Sequence, residues 1–281
     1  MASRAVVFAY HDVGERCLRV LLDAGVDVAL VVTHRDDPKE TIWFASVADL
    51  AGKRGLEVLK DPDLSALEKK TLQIEPDFIF SFYYRRMLPA SVLKLARRGA
   101  FNMHGSLLPT YRGRAPVNWA VLNGETETGA TLHEMVEKPD AGRIVDQERV
   151  PIGPDDLAVD VFRKVTGAAE TVLRRSMKNL LSGEAKLNPQ NLAAGSYFGG
   201  RRPEDGRIDW TKGAREIHNL VRAVAPPYPG AFTKDLRVLR TALTEKANPG
   251  KTLGPYQENG EWFAVCGDGK VLRLLEVEPL K

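Results

Sequence analysis

Short apolar runs and helix-spaced apolar residues take turns along the first two-thirds of the chain. Residues 5–10 are an unbroken apolar run and predict a strand. Cys17, Leu18, Leu21 and Leu22 follow at helical spacing, with Gly25 as the stop. Val26 to Val32 is rich in β-branched residues and predicts a second strand. Phe44, Val47, Ala48 and Ala51 predict a helix that ends near Gly52 or Gly55. Asp77 to Tyr84 predicts a strand entered after Pro76. Leu88 to Arg98 predicts a helix, with Pro89 tolerated in its first turn. Ala100 to His104 predicts a further strand. This alternation implies a mostly parallel sheet covered by helices on both faces.

After Gly129 the pattern changes. Gly129 to Met135 and Arg143 to Val150 predict two strands joined by Lys138-Pro-Asp-Ala-Gly142, where Pro and Gly demand a turn or tight loop. A long helix is predicted from Leu157 to Leu181. Residues 183–200 show no periodicity and read as linker. Strand-like pieces at 231–233, 262–265 and 271–277, separated by Gly and Pro, predict a small, mainly β C-terminal domain. The expected boundaries are a large domain over 1–185, a linker over 186–203 and the small domain over 204–281.

Composition narrows the class. With 43% apolar residues the chain can build a proper core. Forty basic residues against 37 acidic ones leave a formal charge of +3, too mild to argue for nucleic acid. No stretch is long and apolar enough for a signal peptide core or a spanning helix, so no membrane role and a cytoplasmic location are expected. Cys17 and Cys266 are far apart and belong to no Cys/His cluster, so no metal is expected and reduced thiols are favoured over a disulfide.

The first strand-to-helix turn, His11-Asp-Val-Gly14, lacks the Gly-x-Gly-x-x-Gly that dinucleotide binding needs. No phosphate-binding Gly-Lys-Ser/Thr loop occurs either. The densest chemistry is Asn102-Met-His104-Gly-Ser-Leu-Leu-Pro109. Strand alternation puts Asn102 and His104 on one face and sends Phe101 and Met103 into packing. An amide that can meet a developing oxyanion, beside an imidazole that can move protons, suits acyl transfer. The plainer reading is an Asn and a His satisfying loop backbone, and for Asp140 a simple turn former. Spacing alone leaves both open.

Residues 101–147 resemble the signature of the 10-formyltetrahydrofolate-dependent formyltransferases. The matching strings are Asn102 to Pro109, Tyr111-Arg-Gly-Arg-Ala-Pro116, Trp119, Asn123-Gly-Glu125, Thr128 to His133 and Asp140-Ala-Gly142. The resemblance implies a Rossmann-like catalytic domain with a small OB-like C-terminal domain. It also implies 10-formyltetrahydrofolate as co-substrate, and a catalytic trio. Asn102 would stabilise the oxyanion, His104 would transfer protons and Asp140 would favour the protonated imidazole. By position, Arg86, Met87, Leu88 and Arg114, with the loop Val136, Glu137, Lys138, Pro139 and Asp140, would bind the folate. For the arginines the plainer reading is a solvated surface.

The acceptor amine divides this family. The methionyl-tRNA enzymes typically carry Gly-Thr-Pro in the first turn and a basic, Gly-rich insertion after the second strand. Here the turn is Tyr10-His11-Asp12, and the later stretch, Thr33 to Glu40, is short and of mixed charge. The chain looks more like the domain that formylates UDP-4-amino-4-deoxy-L-arabinose, whose product feeds lipid A modification and polymyxin resistance. The segments that carry this are Ala9 to Asp12, Phe80 to Arg85, Arg112 to Trp119, Arg201-Arg-Pro203 and His218 to Ala225. Tyr10 and His11, through that likeness, and Arg201 and Arg202 are then the expected acceptor contacts. A nucleotide sugar asks for cations at its pyrophosphate, which Arg201, Arg202 and Arg207 could supply, the plainer reading of each being a solvated basic turn. That relative is usually fused to a decarboxylase, for which this chain has no room. A homodimer or association with a separate decarboxylase is expected. Another nucleotide-linked 4-amino sugar, methionyl-tRNA, or non-catalytic binding of folate or a nucleotide sugar remain the alternatives.

Overall fold

A computed structural model describes residues 2–38 and 40–280. Lys39, within the stretch read for basic charge, lies outside the described residues, as do Met1 and Lys281. The elements in chain order are β1 (Arg4–Ala9), α1 (His11–Asp23), β2 (Asp27–Thr33), α2 (Val47–Lys53), β3 (Val58–Lys60), α3 (Leu64–Ile74) and β4 (Phe78–Phe82). Next come α4 (Ala90–Leu93), β5 (Gly99–His104), β6 (Arg112–Gly113), α5 (Pro116–Leu122), β7 (Glu127–Glu134), β8 (Ile144–Pro151) and α6 (Ala158–Ser182). The last are β9 (Tyr197–Phe198), α7 (Ala214–Val224), β10 (Ala231–Phe232), β11 (Leu236–Ala247), β12 (Gly254–Glu258), β13 (Glu261–Val265) and β14 (Lys270–Pro279). Two compact units interleave along the sequence. The first is Met1–Gly113, Gly129–Val150 and Lys164–Tyr197; the second is Arg114–Thr128, Pro151–Arg163 and Phe198–Lys281.

A seven-stranded sheet, ordered β3-β2-β1-β4-β5-β7-β8, forms the first unit. The pairings among β1 to β5 are parallel, and β7 runs antiparallel to β5. The chain walks outward from β1 to β3, then returns to the other side of β1 at β4. The order therefore reverses at β1/β4, and open sheets of this kind place ligands at the carboxyl ends of their strands near such a point. Phe8, Phe78, Phe80 and Phe82 are fully buried, which explains why these short strands read as continuous apolar runs. No helix among the described residues is long and apolar enough to cross a membrane.

Two helices differ from the sequence expectation. The segment expected as a helix over 88–98 holds only the four residues of α4. Leu95 and Ala96 bond three residues back, to Val92 and Leu93, and the Arg97 and Arg98 amides then turn to the Pro76 and Asp77 carbonyls. Those bonds align the chain for β5 beside β4 and end the helix early. Leu88 is 9% exposed and packs with Val6, Phe8, Ile79 and Val92, so its periodicity reflects core and not helix. Phe44 precedes α2, because Ser46 is the cap and accepts from the Asp49 amide at 3.2 Å. The Ala45 amide is meanwhile held by Asp12 Oδ1 at 2.8 Å. β3 and α3, absent from the sequence reading, fill the interval before β4. Asp63 caps α3 by accepting from the Ala66 amide at 2.8 Å.

The second unit carries a five-stranded sheet ordered β10-β11-β14-β13-β12, antiparallel throughout. Its helix α7 buries Ala214, Ile217 and Val221, and also His218, whose Nδ1 meets Thr241 Oγ1 at 2.9 Å. Ala214, Ile217, Val221 and Val224 recur on α7 at helical spacing, a signal that the sequence reading passes over.

Candidate active site

Asn102 and His104 leave the same face of β5, near its carboxyl end. Phe101 and Met103, 4% and 1% exposed, go into the opposite face, as alternation requires. Beside them runs β7, in a register that sets Asn102 opposite His133 and His104 opposite Thr131. A loop from β7 to β8 brings in Asp140, which adopts a left-handed backbone at φ 51°.

The hydrogen bonds assign the protons. His104 Nε2 lies 2.8 Å from the Tyr111 carbonyl, which only accepts, so Nε2 carries the hydrogen. Nδ1 is left as the nitrogen that can take or give a proton, and it faces Asp140 Oδ1 at 3.6 Å. His133 Nδ1 donates to the Glu134 carbonyl at 2.8 Å. Its Nε2 lies 3.1 Å from Asn102 Nδ2 and 3.5 Å from Asp140 Oδ1. Asp140 Oδ2 accepts from the Gly113 amide at 2.8 Å. Burial alone would raise the Asp140 carboxyl. The charge that His104 can carry and the hydrogen bond from the Gly113 amide act against it, and the group is held well below the usual carboxylate range. The result is an ionised carboxylate facing two buried imidazoles, His104 at 6% and His133 at 1% exposure.

The surrounding loops are tied down as tightly. Thr131 Oγ1 donates to the Ser106 carbonyl at 2.6 Å and accepts from the Leu108 amide at 3.2 Å. Ser106 Oγ donates to the Thr110 carbonyl at 2.7 Å, and the Tyr111 amide donates to Ser196 Oγ at 2.8 Å. Gln190 Nε2 donates to the Asp140 carbonyl at 3.0 Å and also to that of Gly142. The stretch read as a linker is thus anchored in the first unit here.

Of the other expected residues, Arg86 pairs with Asp61 at 3.1 Å, Met87 is 63% exposed, and the Leu88 side chain is buried in the core. Val136, Glu137 and Lys138 are exposed, and Pro139 is half-buried. The Tyr10 phenol is buried and donates to Asp36 Oδ1 at 2.8 Å. His11, at φ 66°, stacks on Phe44 with ring centres 3.8 Å apart. Burial, then the Arg85 guanidinium, pushes its pKa down to about 3. Arg114, Arg201 and Arg202 belong to the second unit. There Arg114 is exposed, and its amide donates to the Phe198 carbonyl at 3.0 Å. The Arg201 guanidinium lies 4.8 Å over the Trp119 ring, and the Arg202 amide donates to Asp205 Oδ2 at 2.7 Å. The sequence reading assigned no role to His133 or Gln190. His133 carries one signal, its place at the end of the matching string Thr128 to His133, on the strand that pairs with β5. Among the described residues no group of three or more His, Cys, Asp or Glu could hold a metal ion.

Residues 6–177 match the family model described as formyl transferase, and residues 201–281 match that of the formyl transferase C-terminal domain. The chain belongs to the formyl transferase family. Among solved structures it is similar to the N-formyltransferase from Helicobacter canadensis in complex with folinic acid and dTDP-3-aminofucose. That match has 21% identity and a TM-score of 0.77, and covers 100% of both chains. It is also similar to WlaRD, a sugar 3N-formyl transferase crystallised with dTDP and 5-N-formyl-THF, at 19% identity and a TM-score of 0.77 over 100% of this chain and 99% of that one. A 4-N formyltransferase from Francisella tularensis matches at 22% identity and a TM-score of 0.67, over 82% of this chain and 92% of its own. At these identities the likeness establishes a shared fold.

Proposed function

We propose that this formyl transferase moves the formyl group of 10-formyltetrahydrofolate onto the 4-amino group of a nucleotide-linked sugar, with Asn102, His104 and Asp140 as its catalytic residues. UDP-4-amino-4-deoxy-L-arabinose is the acceptor we favour, which would place the product in lipid A modification and polymyxin resistance. The observation that carries the reading is the proton arrangement at His104. Its Nε2 hydrogen is committed to the Tyr111 carbonyl, and Nδ1 faces an ionised, half-buried carboxylate. An imidazole so held has one nitrogen free to exchange a proton, which is what formyl transfer between two nitrogens needs.

The folate supplies an activated formyl group on N10. The chain's residues fit that group as a donor set of one amide, one imidazole and one carboxylate. An Asn102 N–H meets the formyl oxygen as negative charge grows there. His104 Nδ1 takes the proton lost by the attacking amine and returns it to the departing nitrogen. Asp140 stabilises the imidazolium in between. Residues 86–88 and 136–140 border the folate in this reading. Because the Leu88 side chain is buried in the core, only the backbone at that position is open to a pterin. Arg114 would add to the folate site, and Tyr10, His11, Arg201 and Arg202 to the acceptor site. The domain boundaries proposed for this activity are a catalytic domain over 1–185, a linker over 186–203 and the β domain over 204–281. A homodimer or a complex with a separate decarboxylase goes with the same reading.

Against methionyl-tRNA as acceptor, acids of the loop after β2 occupy the neighbouring donors that a phosphate would otherwise meet. Asp36 holds Tyr10, and Glu40 pairs with the Arg85 guanidinium through both oxygens at 2.9 and 2.8 Å. A formylation assay with 10-formyltetrahydrofolate tests the reading by comparing UDP-4-amino-4-deoxy-L-arabinose, other nucleotide-linked 4-amino sugars and methionyl-tRNA. Turnover of one sugar nucleotide alone is expected. Turnover of methionyl-tRNA alone would overturn the acceptor and leave the folate chemistry standing.

A further inference from the structure

His133 is buried to 1% exposure, and two of the groups around it, Asn102 and Asp140, belong to the site. Its Nδ1 hydrogen is spent on the Glu134 carbonyl at 2.8 Å. A neutral imidazole with its hydrogen on Nδ1 offers only a lone pair at Nε2. Asn102 must therefore turn its NH2 side, and not its carbonyl oxygen, toward His133, as the 3.1 Å contact from Nδ2 to Nε2 records. That bond uses one of the two amide hydrogens and fixes the plane of the carboxamide. The second hydrogen stays on the same nitrogen, directed away from His133. Without such a partner the amide can rotate by half a turn and present an acceptor where a donor is needed.

We propose that His133 is a positioning residue that acts through Asn102, setting the amide so that a donor meets the formyl oxygen. The role rests on the assignment of Asn102 proposed above. It differs from that of His104, because His133 needs no proton transfer and no contact with either substrate. The same imidazole stands 3.5 Å from Asp140 Oδ1, so it also flanks the carboxylate that faces His104.

Two amide substitutions separate the bonds that His133 makes. His133→Gln reaches the Nε2 position and can still accept from Asn102. His133→Asn reaches only the Nδ1 position, so it keeps a donor for the Glu134 carbonyl and leaves Asn102 without its acceptor. Removing one oxyanion donor outright costs about 10²–10³ in kcat, so misorienting it is expected to cost roughly tenfold or more. The expected result is a kcat that falls by that factor in His133→Asn and is largely kept in His133→Gln, with KM for both substrates held within about twofold. His133→Leu, which fills the space without either bond, should fall with the Asn variant. Binding of folinic acid, measured by titration calorimetry, reports that each variant is folded. Equal losses in the Gln and Asn variants, or none in either, overturn the positioning role. Asn102→Ala runs alongside. If it keeps normal turnover, the oxyanion assignment fails and this role with it. If it loses turnover while His133→Asn does not, only the positioning role fails.

Discussion

Gly142→Ala changes one hydrogen to a methyl group and should disable the enzyme through geometry alone. A Cβ built on Gly142 would stand 1.9 Å from the Glu134 carbonyl oxygen and 2.8 Å from its carbon. Non-bonded heavy atoms settle near ~3.5 Å, so the two backbones must part by more than about 1 Å. Neither partner has slack. The Glu134 amide donates to the Arg143 carbonyl at 2.8 Å, and the Glu134 carbonyl accepts from His133 at 2.8 Å. The movement is therefore passed to Asp140, two residues before the glycine. A displacement of ~1 Å at a catalytic group costs about 10²-fold in rate, and overpacking of this kind about 1–3 kcal/mol in stability. Steady-state formylation kinetics and thermal melting check both numbers. Gly52→Ala is the control, since a Cβ at Gly52, inside α2, meets nothing within 4 Å. It should leave kcat unchanged. A Gly142→Ala enzyme with kcat within twofold of the parent and an unshifted Tm would refute the reasoning.

Other perturbations test separate parts of the account. His104→Ala should abolish turnover while folinic acid still binds, and near-normal kcat would remove His104 from proton transfer. Replacing Arg201 and Arg202 together by alanine should raise KM for the sugar nucleotide more than for the folate, and equal effects would take them out of the acceptor site. Gln190→Leu should lower kcat by freeing the Asp140 and Gly142 carbonyls, and an unchanged rate would mean the loop holds itself. His11 should make the fold sensitive to acid. Its folded pKa is about 3 against an ordinary 6.5, so between those values the unfolded chain takes up a proton that the native one refuses. Stability is then present above pH 6.5 and falls on acidification toward pH 3, by a few kcal/mol at ~1.4 kcal/mol per unit. Urea unfolding at pH 7 and pH 4.5 should show that slope reduced in His11→Phe, and an identical slope would refute it.

What was legible in the sequence, and what was not, divides along side chain and backbone. Asn102 and His104 follow from period-two alternation on β5, because Phe101 and Met103 declare the buried face. Asp140 is singled out only by the Asp-x-Gly string of the family resemblance, since its place between two strand-like segments reads as a turn former. The shortness of α4 has no such signature. It is set by the Arg97 and Arg98 amides bonding to Pro76 and Asp77, and any residue but proline supplies an amide. α7 is a different case. Ala214, Ile217, Val221 and Val224 recur at helical spacing and were legible, although His218, Asn219 and Arg222 are buried beside them. Two partners of the trio are likewise backbone atoms, the Tyr111 carbonyl and the Gly113 amide, and residue identity does not announce them.

The same division bears on what the signature motif guarantees. A non-glycine residue in the left-handed region costs on the order of 1 kcal/mol, and Asp140 stays there because several contacts over-determine it. The Gly113 amide holds its carboxylate and Gln190 holds its carbonyl. Gly142 lets the loop return against Glu134 with no side chain between. Only the last of these lies inside the Asp-x-Gly string. A chain could keep Asn102, His104 and Asp140 and still misplace the carboxylate if position 190 lost its donor. It could likewise lose the donor aimed at the formyl oxygen if position 133 lost its acceptor. In the proposed reading the trio names the reaction, while Asp140, 3.6 Å from His104 and 3.5 Å from His133, is kept in place from β7 and from the segment that follows α6. Activity in this fold should therefore be as sensitive to His133, Gly142 and Gln190 as to the conservative replacements of the trio itself.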